Sequence, residues 1–390
     1  MPETTVETHF TFELDENQQI IKQSIRDFAE NKIRPVLMEF DESQEFPMEI
    51  MKELGGLGFL GILVPEKYEG SGLGVVEYAL VVEEIARIDP SIALSVAAHN
   101  GLCTNHILQY ANEELKQKYL PDLATGRKIG AWGLTEPASG SDAGGMQTTA
   151  TKEGDYYILN GTKNFITHGK SGETAVIMAI TNKEKGKKGI SAFIVEKGWE
   201  GFSVGKKENK LGMRASETTQ LIFENCKVPA SNMIGNEGEG FAQAMKILEG
   251  GRISIAALSV GLAQGCFEAS IKYANERKQF GKPIYDFQGI QFKIVDMRTD
   301  IEAAKLLTYK AAVMKDEGKD ISQSASMAKL FASEIATKAS NEAVQILGGY
   351  GFVKDYPVEK FYRDVKLLTI GEGTSEVQKI IIARNLRDND

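Results

Sequence analysis

The sequence predicts an α+β protein in three parts: a helical third, a β third and a helical bundle. Three changes of pattern carry that expectation. Apolar residues recur at three- and four-residue spacing from residue 16 to about 126; short segments rich in β-branched and aromatic residues fill 128–240; and the helical period returns from 241 to about 347. Cut at those changes, the expected domains are residues 1–128, 129–240 and 241–390. No internal repeat or low-complexity tract interrupts the pattern.

In the first third, Ile20, Ile21, Ile25, Phe28 and Ile33 mark one apolar stripe, and Tyr78, Leu80, Val81, Ile85 and Ile88 another. Pro35, Pro47, Pro65, Pro90 and Pro121 punctuate the helices, and Asp89-Pro90-Ser91 reads as a break that starts the next one. In the β third, 156–166 reads as a hairpin, because Asn160-Gly161 accepts the positive φ angles of a type I′ turn. Segments 175–181, 190–196 and 218–223 supply further strands, and the basic run Lys183-Glu184-Lys185-Gly186-Lys187-Lys188 is a solvated loop between two of them. The bundle has three long stretches, broken near Gly281-Lys282-Pro283 and Gly318-Lys319-Asp320.

Composition narrows the function classes. The 390 residues are 42% hydrophobic and 25% charged, and the net charge of −9 argues against a nucleic-acid surface. Cys103, Cys226 and Cys266 are far apart, odd in number and without metal spacing, which fits a reducing compartment better than a disulfide framework or a zinc site. The first eleven residues are acidic and lack an apolar core, so they resemble neither a signal peptide nor a basic transit peptide, and no run is expected to span a membrane. Gly70-Ser71-Gly72-Leu73-Gly74 precedes a helix, but Val75 stands where a dinucleotide fingerprint needs glycine. Gly235-Asn236-Glu237-Gly238-Glu239-Gly240 is acidic and would repel phosphate; it reads as an interdomain linker. His99 and His106 lack a third ligand at metal-site spacing and read as core or surface histidines.

Two regions point to chemistry. Near the C-terminus, Gly371-Glu372-Gly373-Thr374-Ser375-Glu376 places a carboxylate between glycines in an apolar-flanked turn before a helix. Glycines admit close backbone approach and apolar flanks raise a carboxyl's proton affinity, which suits a general base; the same turn is also a helix start capped by Thr374 or Ser375. In the β third, the run from Trp132 to Asp142 passes from an apolar strand into small polar residues, and Phe165-Ile166-Thr167 again sets an aromatic near a threonine. Two such edges can clamp a planar heterocycle.

These blocks resemble the acyl-CoA dehydrogenase family over essentially the full chain. Leu134-Thr135-Glu136-Pro137 with Gly140-Ser141-Asp142 is similar to one signature of that family. Gln345 to Phe352 with Arg363-Asp364 is similar to a second, and the segment from Glu372 to Gln378 completes the match. The resemblance implies a middle β-barrel or β-sandwich domain, a C-terminal four-helix bundle, FAD as cofactor and Glu372 as catalytic base. It implies that Trp132, Leu134, Thr135, Phe165 and Thr167 line the flavin, and that Thr374 and Glu376 also contact FAD. Arg277, Phe280, Gln288, Gln345, Gly348 and Gly349 reach the FAD of a neighbouring subunit by the same carry-over, and Ser141, Leu248, Glu249, Arg252 and Gly373 contact acyl-CoA. An electron-transfer flavoprotein as partner, a homotetramer built from paired dimers, and a bacterial cytoplasmic or mitochondrial matrix location follow from the family too. Gly371 departs from relatives with a large residue there, and Gly251 stands where one branch of the family carries its base. Short acyl chains are expected, because Gly251-Arg252-Ile253-Ser254-Ile255-Ala256 looks most like the butyryl-CoA type. An acyl-CoA oxidase of similar fold and a non-catalytic acyl-CoA-binding scaffold are the alternative readings.

Overall fold

The computed structural model describes residues 13–388. Its first third holds α1 (Glu16–Phe28), α2 (Leu37–Ser43), α3 (Met48–Gly56), α4 (Val75–Ala86), α5 (Pro90–Ala98), α6 (Asn105–Tyr110) and α7 (Glu113–Ala124). Local chemistry sets the helix starts. The Asp15 side chain accepts the Gln18 N–H to cap α1, and Asp89 accepts the Ser91 N–H at 2.7 Å with Pro90 in the first turn of α5. At the start of α4, the Asp316 carboxylate accepts the N–H groups of Val75 and Val76 at 2.8 and 3.1 Å. A protein carboxylate therefore fills the anion position that the 70–74 glycine segment would otherwise offer.

The middle third forms one sheet: β1 (Gly130–Gly133), β2 (Thr149–Glu153), β3 (Tyr156–Thr167), β4 (Thr174–Ile180), β5 (Ile190–Glu196), β6 (Phe202–Lys207), β7 (Thr218–Pro229) and β8 (Met233–Ile234). The order is β6-β7-β3-β2-β4-β5-β8, with β1 parallel to β4. Apolar clusters cover both faces. Val176, Met178, Ala192 and Ile194 pack with Trp132 and Leu134 on one side, and Leu159, Ile177, Phe193, Val195 and Phe223 pack on the other.

The expected Asn160-Gly161 hairpin is not there. β3 runs straight through it as a twelve-residue strand with a bulge between Leu159 and Gly161. Gly161 has φ +144°, outside a type I′ turn, and a Cβ there would lie 2.5 Å from Thr148 Oγ1. Asn160 instead accepts the Asn225 N–H at 2.8 Å, while the two-residue turn before β3 falls at Gly154-Asp155.

The last third contains α8 (Gly240–Glu276), the short hairpin β9 (Lys278–Gln279) and β10 (Lys282–Pro283), α9 (Gln288–Asp316), α10 (Ser322–Leu347), α11 (Val358–Asp364) and α12 (Ser375–Asp388). Helices α8, α9, α10 and α12 form the bundle, and α8 also packs on α4 and α5. Contrary to the expectation of no membrane-length run, α8 is long and apolar enough by length and composition to cross a membrane. Its apolar stretch is mostly buried inside the protein, so its all-round hydrophobicity marks a central core helix.

Buried ion pairs join the thirds. Arg87 at the C-terminal cap of α4, 2% exposed, meets Glu30 at 2.7 Å, Glu84 at 3.1 Å and Glu268 of α8 at 2.7 Å. Lys360 of α11, fully buried, meets Asp89 at 2.9 Å and Asp364 at 2.6 Å. Asp364 in turn accepts the Met213 N–H from the β third. Burial opposes the Lys360 charge, and the two carboxylates overcome that and raise its proton affinity above the ordinary lysine range. Replacing Lys360 with Met leaves those carboxylates buried without their cation. We expect Lys360→Met to lower stability by about 3–5 kcal/mol, read as a fall in the urea midpoint; a midpoint within error of the parent would contradict this role.

Candidate active site

Glu372 sits in the turn between the short helical segment Val365–Thr369 and α12. Its φ is +52° and that of Gly373 is +93°, so two successive residues take left-handed backbone conformations. For a residue with a Cβ this costs on the order of 1–2 kcal/mol, and the surroundings must hold it. Three donors do so. Lys329 Nζ donates to the Gly373 carbonyl at 2.9 Å, and Gln378 Nε2 donates to the same oxygen at 2.8 Å and to the Glu372 carbonyl at 3.3 Å. Thr374 Oγ1 accepts the Val377 N–H at 3.3 Å, so the helix-start reading of this turn is also correct. The exposed Glu376 carboxylate is held below its usual range by its own backbone N–H and the Thr374 hydroxyl.

The turn aims the Glu372 carboxylate at the bundle. A Cβ built on Gly251 of α8 would lie 1.8 Å from Glu372 Oε2, so only glycine leaves room for the carboxylate at that position. Glu372 Oε2 is buried and has no hydrogen-bond partner among the described residues. Burial pushes the carboxyl up to about 7, against the opposing pull of Lys329 and Arg252. Arg252, 7% exposed, reaches only Ser326 Oγ, at 3.4 Å, and its Nε is unpartnered. Burial lowers both cations, Lys329 to about 8. Orphaned acceptor and donor atoms in one buried site are the mark of a place where a polar ligand group belongs. The Gly371 position is open, since a Cβ there would meet nothing nearer than the Leu367 carbonyl at 3.5 Å.

The residues expected at the flavin fall into two groups. Trp132, Leu134, Thr135, Phe165 and Thr167 lie on and beside β1 and β3. Thr135 O accepts the Asn164 N–H at 2.8 Å, tying the two edges together. Buried Glu136 clamps the same loop by accepting from Lys163 Nζ at 2.7 Å and Thr148 N at 3.0 Å, while Trp132 Nε1 donates to His106 Nδ1 at 3.0 Å. Phe165 has φ +56° and stands 61% exposed, and the neighbouring Asn164 Oδ1 is buried without a partner. An exposed ring in a strained conformation beside an orphaned acceptor fits a planar, hydrogen-bonding heterocycle such as a flavin.

Arg277, Phe280, Gln288, Gln345, Gly348 and Gly349 form the second group, all exposed at one end of the bundle. Arg277 lies over the Tyr350 ring at 5.6 Å, and Phe280 heads the tight turn between β9 and β10 with φ +53° and 93% of its surface exposed. Among the described residues no hydrogen bond, ion pair or ring contact links this group to the first.

Of the expected acyl-CoA contacts, Arg252 and Gly373 meet at Glu372. Leu248 packs one turn earlier on α8 near the Trp132 cluster, and Glu249 lines a cleft of about 230 Å³ with Lys246, Lys315, Lys319 and Tyr110. Ser141 is exposed on the loop after β1, a loop whose Gly144 lies against the Lys187 side chain. His99 and His106 are core residues that pair with Leu123 O and Gln243. Sequence reasoning passed over Lys329, Lys163 and Gln378. For Lys329 the signal is present, as it falls on the buried small-residue face Ala325, Ala328, Ala332 and Ala336 of α10.

Family models agree with this architecture throughout. The acyl-CoA dehydrogenase N-terminal domain model matches residues 15–127, the middle domain model 131–226 and the C-terminal domain model 238–387. The chain is 50% identical over 95% of its length to a short-chain-specific acyl-CoA dehydrogenase of Clostridium acetobutylicum, covering 98% of that protein. It is 47% identical over 94% of its length to the CarC subunit of the caffeyl-CoA reductase–Etf complex of Acetobacterium woodii, covering 97% of it. The butyryl-CoA dehydrogenase of Megasphaera elsdenii has a solved structure that superposes with TM-score 0.95 at 46% identity, over 96% of this chain and 99% of that one. With all three domain models in order along one chain, this protein belongs to the acyl-CoA dehydrogenase family.

Proposed function

We propose that this chain is an FAD-dependent acyl-CoA dehydrogenase that converts short acyl-CoA thioesters to trans-2-enoyl-CoA and passes the electrons to an electron-transfer flavoprotein. The observation that carries the reading is the buried, unpartnered Glu372 Oε2, poised with a proton affinity near 7 between Lys329 and Arg252. The α C–H of a thioester is a very weak acid, so a base must be held close to it, dry and in its deprotonated form. Glu372 takes the α proton in this reading. Bound FAD supplies the acceptor for the β hydride.

Trp132, Leu134, Thr135, Phe165 and Thr167 hold the flavin ring in this scheme, with Thr374 and Glu376 at the turn. Arg277, Phe280, Gln288, Gln345, Gly348 and Gly349 reach the FAD of a second copy, which accounts for the exposure of the Phe280 ring. Ser141, Leu248, Glu249, Arg252 and Gly373 receive acyl-CoA. Exposed Phe292, Val295, Leu306 and Val313 on α9 supply an apolar face for a tetramer of paired dimers. The three domains divide near residues 128 and 240, and the enzyme works in a bacterial cytoplasm or, in a eukaryotic cell, the mitochondrial matrix.

Three outcomes test the reading. Glu372→Gln keeps side-chain volume and removes the base, so turnover of butyryl-CoA by the FAD-loaded enzyme falls at least about a hundredfold, and kcat/KM of the parent rises with pH through about 7. Turnover near that of the parent in the Gln variant would falsify the assignment.

The same variant makes a stability prediction. The folded carboxyl binds its proton more tightly than the unfolded one, whose ordinary value is 4.5, so the parent loses stability as pH rises from 4.5 through about 7. Glu372→Gln therefore melts above the parent at pH 8, and the advantage vanishes below pH 4.5; a pH-independent difference contradicts the burial argument.

Chain length is tested with a series of butyryl-, octanoyl-, palmitoyl-, glutaryl- and dihydrocaffeyl-CoA, each added methylene being worth roughly 1–3 kcal/mol where a pocket holds it. The expected kcat/KM maximum lies at about four to eight carbons. A maximum at palmitoyl or glutaryl overturns the short-chain assignment, and one for the dihydrocaffeyl thioester assigns the space beside Gly371 to an aryl group.

A further inference from the structure

Lys329 is the one charged group that lies fully buried on the inner face of α10 and donates to the turn carrying Glu372. A lysine side chain without exposed surface is rare unless its charge is used, because burying an ammonium is costly. Its protein partner is a neutral carbonyl, that of Gly373, which leaves most of the charge uncompensated by direct pairing. The groups that bear on Glu372 come from three elements, Lys329 of α10, Arg252 of α8 and Tyr78 of α4, while Glu334 and Glu376 act on Lys329 and Glu249 acts on Arg252. Among them the two cations are Lys329 and Arg252. Only Lys329 also bonds the backbone on which the carboxylate rides.

We propose that Lys329 is a positioning residue for Glu372, clamping the left-handed Glu372-Gly373 turn through the Gly373 carbonyl while its buried charge favours the ionised carboxylate. The proposal rests on Glu372 being the base. Three further observations support it. The turn is strained, with two positive φ angles in succession, and among the described residues its two carbonyls are bonded only by the Lys329 and Gln378 side chains. Gln378, also buried, supplies neutral donors, so the charge is Lys329's distinct contribution. Lys329 also holds its proton below about pH 8, which keeps it cationic in the range where Glu372 titrates.

The test uses Lys329→Gln, which keeps a donor for Gly373 O and removes the charge, and Lys329→Met, which removes both. In the FAD-loaded enzyme with butyryl-CoA, Lys329→Gln should move the acid limb of the kcat/KM profile up by about one pH unit or more, the shift expected on losing a nearby opposite charge. Lys329→Met should move it equally and lower kcat at least about tenfold further, because the turn is no longer clamped. A merely structural lysine would lower the amount of folded enzyme without moving the limb. The second measurement needs no turnover: between pH 7 and 8, Lys329→Gln should lower the melting temperature of the parent more than that of Glu372→Gln, a double-mutant coupling.

An unmoved acid limb in Lys329→Gln, or equal melting losses in both backgrounds, overturns the proposal. If Lys329→Gln folds only in the Glu372→Gln background, the coupling is present in its strongest form and supports it. Failure to fold in both backgrounds overturns it, since the role is then structural. Loss of the base assignment is separately visible as an active Glu372→Gln enzyme.

Discussion

Taking a carboxylate out of water without a hydrogen-bond partner costs several kcal/mol, and the carboxyl answers by binding its proton more tightly. That penalty at Glu372 Oε2 is the constraint around which the candidate site is arranged. It is tolerated because the turn cannot relax. Glycine at 251 leaves a niche for the carboxylate, Lys329 and Gln378 fix the two carbonyls, and Arg252 lies near enough to oppose the desolvation. These residues come from three helices, so the site exists only when α8, α10 and α12 are packed together.

The wider fold serves that packing. Arg87 draws together the end of α4, α8 and the helical turn after α1 that carries Glu30, and the Lys360 pairs with Asp89 and Asp364 tie the first third to the bundle while Met213 brings in the sheet. Buried pairs of this kind contribute modest net stability over apolar packing, yet removal of one partner is severe, so they specify how the thirds dock. The sheet contributes its own clamp. Lys163, Glu136 and the 134–136 loop set Trp132 and Thr135 against the edge that Phe165 ends. In the proposed enzyme this places a ring-binding edge and a base on separate elements, each immobilised before any ligand arrives, which is the arrangement that makes catalysis by positioning efficient.

Much of this was legible in the residues. The 3.6-residue period locates the three long bundle helices, the β-branched and aromatic run 190–196 coincides with β5, and Asp89-Pro90 marks the start of α5. What failed did so for tertiary reasons. Asn160-Gly161 carries the local signature of a tight hairpin turn, but the need for that glycine comes from Thr148, just before the neighbouring strand β2, and such a neighbour is invisible to local pattern. The apolar length of α8 has two physical explanations, lipid or protein cover, which only packing separates. Lys329 was passed over because one lysine in a helix reads as solvated. Its position on an otherwise alanine and serine face was the available clue. The bundle-end residues Arg277, Phe280 and Gln345 read locally as surface, and within one chain they are surface.

The central claim, that Glu372 is a desolvated carboxyl with a proton affinity near 7, is most directly measured by infrared difference titration of the FAD-loaded enzyme. The spectrum of Glu372→Gln is subtracted at each pH to isolate one carboxyl stretch. A protonated carboxyl band that disappears with a midpoint near pH 7 is the result this account predicts. A midpoint at the ordinary value of 4.5 or below would mean that the carboxylate is solvated or fully paired, and would contradict it.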